Sequence, residues 1–275
     1  LSPDPKGRVL ILAGSDSGGG AGVQADIKTV TALGGHAATA ITAITVQNTL
    51  GVHAVHPLAA ALVDAQARAV LEDIGADAVK TGMLGSKDIV EVTARLLADY
   101  PGLPAVIDPV IVAKDGQGLL DASALDALLV LLIPRAALLT PNAPEAAALT
   151  RLRVETTEDL RRAGAALLRR GAGAVLMKGG HIPGARVVDV LLTLSGETLF
   201  EGARRDTRHT HGTGCTLASA CAAGLAWGLA MEDAVARAWA FTAGAIRHAP
   251  GFGEGAGPLD HGWRLRRSRP PPSHE

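Results

Sequence analysis

Val9-Leu10-Ile11-Leu12-Ala13-Gly14-Ser15-Asp16-Ser17-Gly18-Gly19-Gly20-Ala21-Gly22-Val23 sets the pattern of the chain: an apolar run, a glycine-rich turn, then Val23, Ile27, Val30 and Leu33 at helical spacing. A short apolar run without alternation fits a strand buried on both faces, and a helix straight after it begins a β-α-β unit. The same alternation continues along the chain. Strands are expected at 37–46, 52–55, 78–81, 105–108, 137–140, 174–178 and 187–192, with helical patterns near 58–73, 87–99, 122–132, 143–150 and 157–170. Two helices, at about 214–228 and 232–249, close the pattern. This is the order of an α/β fold, a parallel sheet flanked by helices.

With 275 residues, 48% of them hydrophobic, the chain can bury one large core. No internal linker or short repeat is visible, so residues 1–263 are expected to form a single domain. The Arg-rich, Pro-ending stretch 264–275 is expected to be a disordered tail. A formal charge of -1 and the lack of a basic face argue against nucleic acid as a partner. Two cysteines make no disulfide framework, neither has zinc-site spacing, and no signal-peptide pattern opens the chain, so a cytoplasmic location is expected. No apolar stretch of membrane-spanning length escapes interruption by Gly, Pro or charge, and no membrane partner is expected.

A second turn, Thr210-His211-Gly212-Thr213-Gly214-Cys215, opens directly into a helical run of small apolar residues. The first N–H groups of a helix lack intrahelical partners and its dipole is positive there, so such a turn aims donors where a transferring phosphate needs them. Gly212 and Gly214 have no Cβ to hold a phosphate oxygen away, and Cys215 stands beside the same point. A plain loop with an inert buried thiol would explain the same letters. The crowd of Asp206, Thr207, Thr210, His211 and Thr213 exceeds what one helix cap needs and favours the anion site. Two glycine turns suggest two ligands, one of them a nucleotide.

In open parallel sheets ligands gather at the carboxyl ends of the strands. Asp16, Gln47, Asn48, Asp108, Asn142, Glu145 and Lys178 all follow expected strands and so belong to one rim. Asn142 and Glu145 read as a helix capping box or, beside a phosphate, as a place where Glu145 holds a magnesium-bound water. Asp108 ends an apolar strand and needs a partner there: a metal or phosphate network, a helix cap, or an ion pair with Lys114. Lys178, followed by Gly179-Gly180, is a surface lysine or a mobile charge for phosphate. Gln47 offers a donor and an acceptor, the complement of an aminopyrimidine edge or of loop backbone. The first glycine turn lacks the Lys-Ser/Thr ending of a P-loop and the third glycine of the dinucleotide fingerprint. That argues against a dehydrogenase and for a small-molecule pocket near Asp26.

Together the stretches from Gly14 to Asp26, Thr45-Val46-Gln47-Asn48-Thr49, Lys80-Thr81-Gly82-Met83-Leu84, Ile107-Asp108-Pro109-Val110, Thr140-Pro141-Asn142, Met177-Lys178-Gly179-Gly180-His181 and the turn 210–215 resemble the bacterial hydroxymethylpyrimidine/phosphomethylpyrimidine kinases. The likeness runs in order over about residues 8–262. It implies a ribokinase-like three-layer α/β/α sandwich with a mostly parallel central sheet. It also implies transfer from ATP, with Mg²⁺, to 4-amino-5-hydroxymethyl-2-methylpyrimidine and then to its monophosphate, in thiamine biosynthesis.

By the same resemblance the pyrimidine lies among Gly14, Ala21, Asp26, Thr45, Gln47 and Met83, while Asn142, Lys178, Thr207 and Thr213 face ATP. Asp108 and Glu145 border the magnesium, Glu145 through water, and Cys215, Lys178, Gly212 and Gly214 carry the catalysis. A homodimer is implied as well. Cys215 stands where most of the wider superfamily has an aspartate base. A helix N-terminus lowers a thiol pKa, so Cys215 is expected to take the hydroxyl proton as a partial thiolate. In the loop 109–119, Gly116 and Gly118 are candidate hinges, and the letters do not say how far the loop closes over the site. A pyridoxal kinase is the nearest rival reading. A non-catalytic pyrimidine-binding regulator is the rival of another class, and it has no use for the phosphate-directed set Lys178, Asp108, Glu145 and 212–215.

Overall fold

A computed structural model describes residues 6–111, 120 and 122–266 of the chain. Its strands are β1 (Arg8–Ser15), β2 (His36–Gln47), β3 (Val52–Pro57), β4 (Ala78–Thr81), β5 (Ala105–Ile107), β6 (Leu138–Leu139), β7 (Ala174–Met177), β8 (Arg186–Thr193) and β9 (Gly196–Ala203). They form one sheet in the order β3-β2-β1-β4-β5-β6-β7-β8-β9. The six strands from β2 to β7 in that order run parallel, and β3, β8 and β9 pair antiparallel at the two margins.

The helices are α1 (Gly22–Ala32), α2 (Ala60–Asp73), α3 (Lys87–Asp99), α4 (Ala122–Ala127), α5 (Ala143–Thr150), α6 (Thr157–Arg169), α7 (Thr213–Ala226), α8 (Met231–Arg247) and the short α9 (Trp263–Arg266). The period-two alternation of β1 sorts them into layers. Leu10 and Leu12 pack in one core with Val63, Ile89, Leu132 and Leu160 of the α2–α6 side. Val9, Ile11 and Ala13 point the other way, into a core with Val23, Leu217, Ala222 and Phe241 of α1, α7 and α8. The result is a three-layer α/β/α sandwich with a mostly parallel centre.

Three differences from the sequence pattern have physical reasons. Strand β9 has no counterpart in it: its residues alternate between half-buried and exposed and include Glu197 and Glu201, as suits a solvent-facing sheet edge. The helix expected at 122–132 continues past α4 as a π turn (Leu128–Leu132) and a 3-10 turn (Ile133–Arg135), where Pro134 supplies no N–H to an α-helical ladder. The expected tail boundary at 263/264 falls inside α9, where Arg264 stacks over Phe241 and Trp263. Residues 267–275 of the expected tail lie outside the described residues.

Asp26 of α1 and Lys80 of β4 form an ion pair of 2.7 Å with both side chains fully buried, and Ser219 of α7 donates to the other Asp26 oxygen at 2.7 Å. Burial would lower the Lys80 pKa, but Asp26, with Cys215 and Asp108 adding to it, more than offsets it and the lysine stays above its ordinary value. Removing one member of a buried pair leaves the other uncompensated, at a cost of about 3–5 kcal/mol. Lys80→Met is therefore expected to lose about that much unfolding free energy in urea titrations. A change below about 1 kcal/mol would show that the pair contributes little to the fold.

Candidate active site

The two glycine turns lie against each other at the carboxyl end of the sheet. Gly212 has a φ of 80°, and a Cβ on it would overlap the carbonyl oxygen of Gly20. A Cβ on Gly20 would stand 2.7 Å from Cδ2 of His211. Only glycine permits this approach at position 212. Asp16 locks the first turn: its Oδ1 accepts from Gly18 N at 2.8 Å, and its Oδ2 from Gly20 N at 3.0 Å and Ala21 N at 2.7 Å. His211 Nε2 lies 3.0 Å from the same Oδ2, which ties the second turn to the first. Burial opposes the charge on Asp16, yet His211 and the N–H groups of Ala21 and Gly18 hold its pKa below the usual carboxylate value.

Gly212 is the N-cap of α7, so Thr213, Gly214 and Cys215 form the first turn of a 14-residue helix. Lys178, at the end of β7, reaches this turn. A Cβ on Gly214 would stand 3.2 Å from Lys178 Nζ and 3.7 Å from Asp108 Oδ2. The ammonium lies 2.9 Å from Asp108 Oδ1 and 3.8 Å from Glu145 Oε2. Burial would lower the Lys178 pKa, but these two carboxylates hold it above the ordinary lysine value. Thr140 Oγ1 also donates to Asp108 Oδ1 at 3.0 Å. Asp108 thus pairs with Lys178 and Thr140, whereas Lys114 lies outside the described residues, as does most of the loop 109–119.

The capping-box reading of Asn142 and Glu145 holds, and the same two residues also border the cleft. Asn142 Oδ1 accepts from Glu145 N at 2.9 Å and Glu145 Oε2 from Asn142 N at 2.7 Å, a complete capping box, while both side chains border the cleft. Burial pushes Glu145 up to about 7 in spite of Lys178, with Asp108 adding to the rise. A carboxylate so placed gains from any cation brought beside it. Among the described residues no group of three or more His, Cys, Asp or Glu is placed to hold a metal by itself. One or two carboxylates next to a phosphate site match the habits of Mg²⁺, which keeps several waters and leans on substrate phosphates.

Two sequence expectations are corrected. Asp26 does not border the cleft: it is fully buried beneath it against Lys80, so it supports the floor and cannot touch a ring. Cys215 is not a partial thiolate in the free protein. Burial pushes its thiol up to about 11, beyond what the nearby Lys80 and the Gly22 N–H donating to the sulfur can recover. Desolvation of the anion outweighs the helix-end contribution here.

The end of the cleft away from Lys178 is built from β1, β2 and the loop after β4. Ser17 Oγ donates to Gln47 O at 2.7 Å and accepts from Gln47 N at 2.8 Å, fixing the Gln47 backbone beside the first turn. The Gln47 amide lies 2.8 Å from His211 Nε2. Thr45 spends its hydroxyl proton on Ser15 O at 2.8 Å. Met83 is held by Thr42 Oγ1 donating to its carbonyl at 2.6 Å, and a Cβ on Gly14 would stand 2.5 Å from Met83 Cε. Gly14 is what lets the methionine lie across the end of β1.

One continuous cleft of about 1080 Å³ is bordered by Gly14, Ala21, Thr45, Gln47, Met83, Asp108, Asn142, Glu145, Lys178, Thr207, Gly212, Thr213, Gly214 and Cys215. A single small-molecule site takes about 300–1000 Å³, so two ligands fit side by side. Beyond Lys178 the cleft passes Val187, Asp189, Trp239 and Ile246, which the sequence reading did not assign. Asp189 accepts from Gly179 N at 2.7 Å and is pushed up to about 6 by burial, with Gly179 and Lys178 opposing the rise. Its signal was a lone carboxylate in the apolar run Val187-Val188-Asp189-Val190-Leu191, as that of Lys80 was a cation in Ala78-Val79-Lys80-Thr81.

This geometry has relatives. Residues 16–260 match the family model described as phosphomethylpyrimidine kinase. The hydroxymethylpyrimidine/phosphomethylpyrimidine kinase of Streptomyces coelicolor is 51% identical over 94% of this chain and 95% of its own. The protein of the same name from Bacillus subtilis is 44% identical over 92% of this chain and 94% of its own. Among solved structures, the Staphylococcus aureus pyridoxal kinase in complex with ADP superposes with a TM-score of 0.88 at 34% identity, covering 94% of each chain. A phosphomethylpyrimidine kinase from Clostridium difficile gives a TM-score of 0.78 at 40% identity, over 87% of this chain and 99% of that one. With a matched model spanning most of its length and its carbonyl-end cleft built from the matched residues, the chain belongs to the phosphomethylpyrimidine kinase family of phosphotransferases.

Proposed function

We propose that this protein transfers the γ-phosphoryl group of ATP to 4-amino-5-hydroxymethyl-2-methylpyrimidine, and then a second one to the resulting monophosphate, in thiamine biosynthesis. The observation that carries the reading is the common cleft of Gln47 and Cys215, with Lys178 beside the Gly212 to Gly214 turn. The ring end offers an amide between aliphatic and methionine surfaces. The far end, past Lys178, has the apolar walls of Val187, Trp239 and Ile246 for a nucleotide base.

Phosphoryl transfer is largely dissociative, so positioning and charge stabilisation supply most of the rate. Lys178 neutralises charge on the phosphate in flight, and the first-turn N–H groups of α7 hold its oxygens. Asp108 and Glu145 would hold Mg²⁺, Glu145 through water, and the ion would supply positive charge to the phosphate being transferred. Cys215 acts only at the hydroxyl. The small thiolate fraction of Cys215 takes that proton and becomes the neutral thiol, whereas the monophosphate brings an acceptor that is already anionic.

Homodimerisation is part of this reading. Ile44 and Val46 stand exposed on one face of β2, and Leu50 follows them in the β2–β3 loop, an apolar margin next to the ring end of the cleft that a second copy would cover. A monomer in sedimentation at micromolar concentration would overturn that part.

ATP consumption should depend on the aminopyrimidine, and in competition its kcat/KM should exceed that of pyridoxal; absence of both results would defeat the assignment. Cys215→Ala is expected to slow the first phosphorylation by about 10²–10⁴ and to spare the second. Because the Cys215 pKa lies at about 11, the thiolate fraction rises about tenfold per pH unit below it. The first step of the wild type should accordingly accelerate between pH 7 and 9 more than the second. Equal losses on substitution, or parallel pH profiles in single-turnover assays, would remove Cys215 as the base.

A further inference from the structure

Within the ring end of the proposed pyrimidine site, one nitrogen is asked to do two things. His211 Nε2 lies 3.0 Å from the Asp16 carboxylate and 2.8 Å from the terminal amide nitrogen of Gln47. A ring nitrogen carries either a proton or a lone pair. It cannot donate to the carboxylate and also accept from an NH₂ group. Asp16 is anionic and anchored by three backbone N–H groups, so a bare lone pair facing it would be repelled. The proton therefore belongs on Nε2, shared between Asp16 Oδ2 and the Gln47 amide atom that faces it. The Gln47 amide then satisfies the site only after a half-turn about its terminal bond, with Oε1 toward His211 and the NH₂ turned away.

We propose that His211, held by Asp16, is a specificity-determining positioning residue that locks the orientation of the Gln47 amide and so makes the cleft select an aminopyrimidine over pyridoxal. The selection follows from the order of donors and acceptors. Beside the carbon bearing its amino group an aminopyrimidine has a ring nitrogen, an acceptor next to a donor. Pyridoxal presents a hydroxyl donor and an aldehyde acceptor at the equivalent atoms, the reverse order. A locked amide uses its NH₂ for the ring nitrogen and its second oxygen lone pair for the exocyclic amine. A free amide can turn to fit either ring.

The imidazole is itself immobilised. A Cβ on Gly20 would press on its Cδ2, and the backbone N of His211 donates to Gly257 O at 3.2 Å. Without the imidazole, the Asp16 carboxylate is left to attract the amide NH₂ and draws it into the orientation that faces oxygen against the ring nitrogen.

His211→Leu keeps bulk over Gly20 but has no donor. It should raise KM for the aminopyrimidine about tenfold more than KM for pyridoxal and cut the ratio of their kcat/KM values at least tenfold, on top of any loss that the loosened clamp imposes on both substrates alike. His211→Gln, whose NH₂ has two protons for the two acceptors, should restore most of that ratio. A purely structural role predicts equal losses for both substrates and no rescue; either finding overturns the proposal. If the leucine variant does not fold, His211→Ala repeats the comparison. Calorimetric binding of 4-amino-2,5-dimethylpyrimidine and of pyridoxal to wild type and variants separates this idea from the assigned reaction. A wild type that turns over neither ring yet binds the aminopyrimidine more tightly, with the preference lost in His211→Leu, would defeat the reaction and keep the proposal; an unchanged preference would defeat the proposal alone.

Discussion

The contact between the Gly20 and Gly212 backbones is the constraint on which the rest of this protein depends. It brings the turn after the first strand against the turn before α7, although nearly the whole chain separates them. The sheet order makes this possible, since β1 lies inside the sheet between β2 and β4, and α1 and α7 share a layer. Asp16 and His211 then clamp the two turns with charge and hydrogen bonds. The first glycine turn with Gln47 and the start of α7 thereby become walls of the same cavity, which is what a two-substrate phosphotransferase requires.

Charge inside that cavity is governed by how much water each group loses. Lys178 keeps its charge because Asp108 and Glu145 stand within reach. Lys80 keeps its charge for the same reason, beside Asp26. Cys215 has a cation nearby but also Asp26 and Asp108, and burial leaves its thiol protonated. Burial pushes Glu145 up to about 7 against the pull of Lys178, with Asp108 adding to the rise. The free site is thus short of positive charge around its carboxylates, a state that a bound cation relieves.

Much of this was legible in the letters, and the failures have a common cause. Strand-end polar residues such as Gln47, Asp108 and Lys178 were readable because a parallel sheet collects them on one rim, whatever the packing details. Asp26 was misplaced because helical spacing does not say whether a carboxylate faces solvent, cleft or a buried lysine three elements away. The Cys215 pKa was misjudged because a helix N-terminus is visible in sequence and the depth of its burial is not. β9 escaped because an edge strand carries a weak pattern, and Trp239, in a helix that was expected, escaped because helical spacing does not say which face meets the cleft.

Gly212→Ala tests the docking of the turns most directly, because its Cβ would overlap Gly20 O and its φ of 80° disfavours any side chain. With helical circular dichroism and cooperative unfolding retained, the affinities for ADP and for the aminopyrimidine should fall together, each by about tenfold or more, corresponding to about 1.4 kcal/mol. Loss of nucleotide affinity alone, with pyrimidine binding at the wild-type level, would contradict the claim that one backbone contact builds both halves of the site.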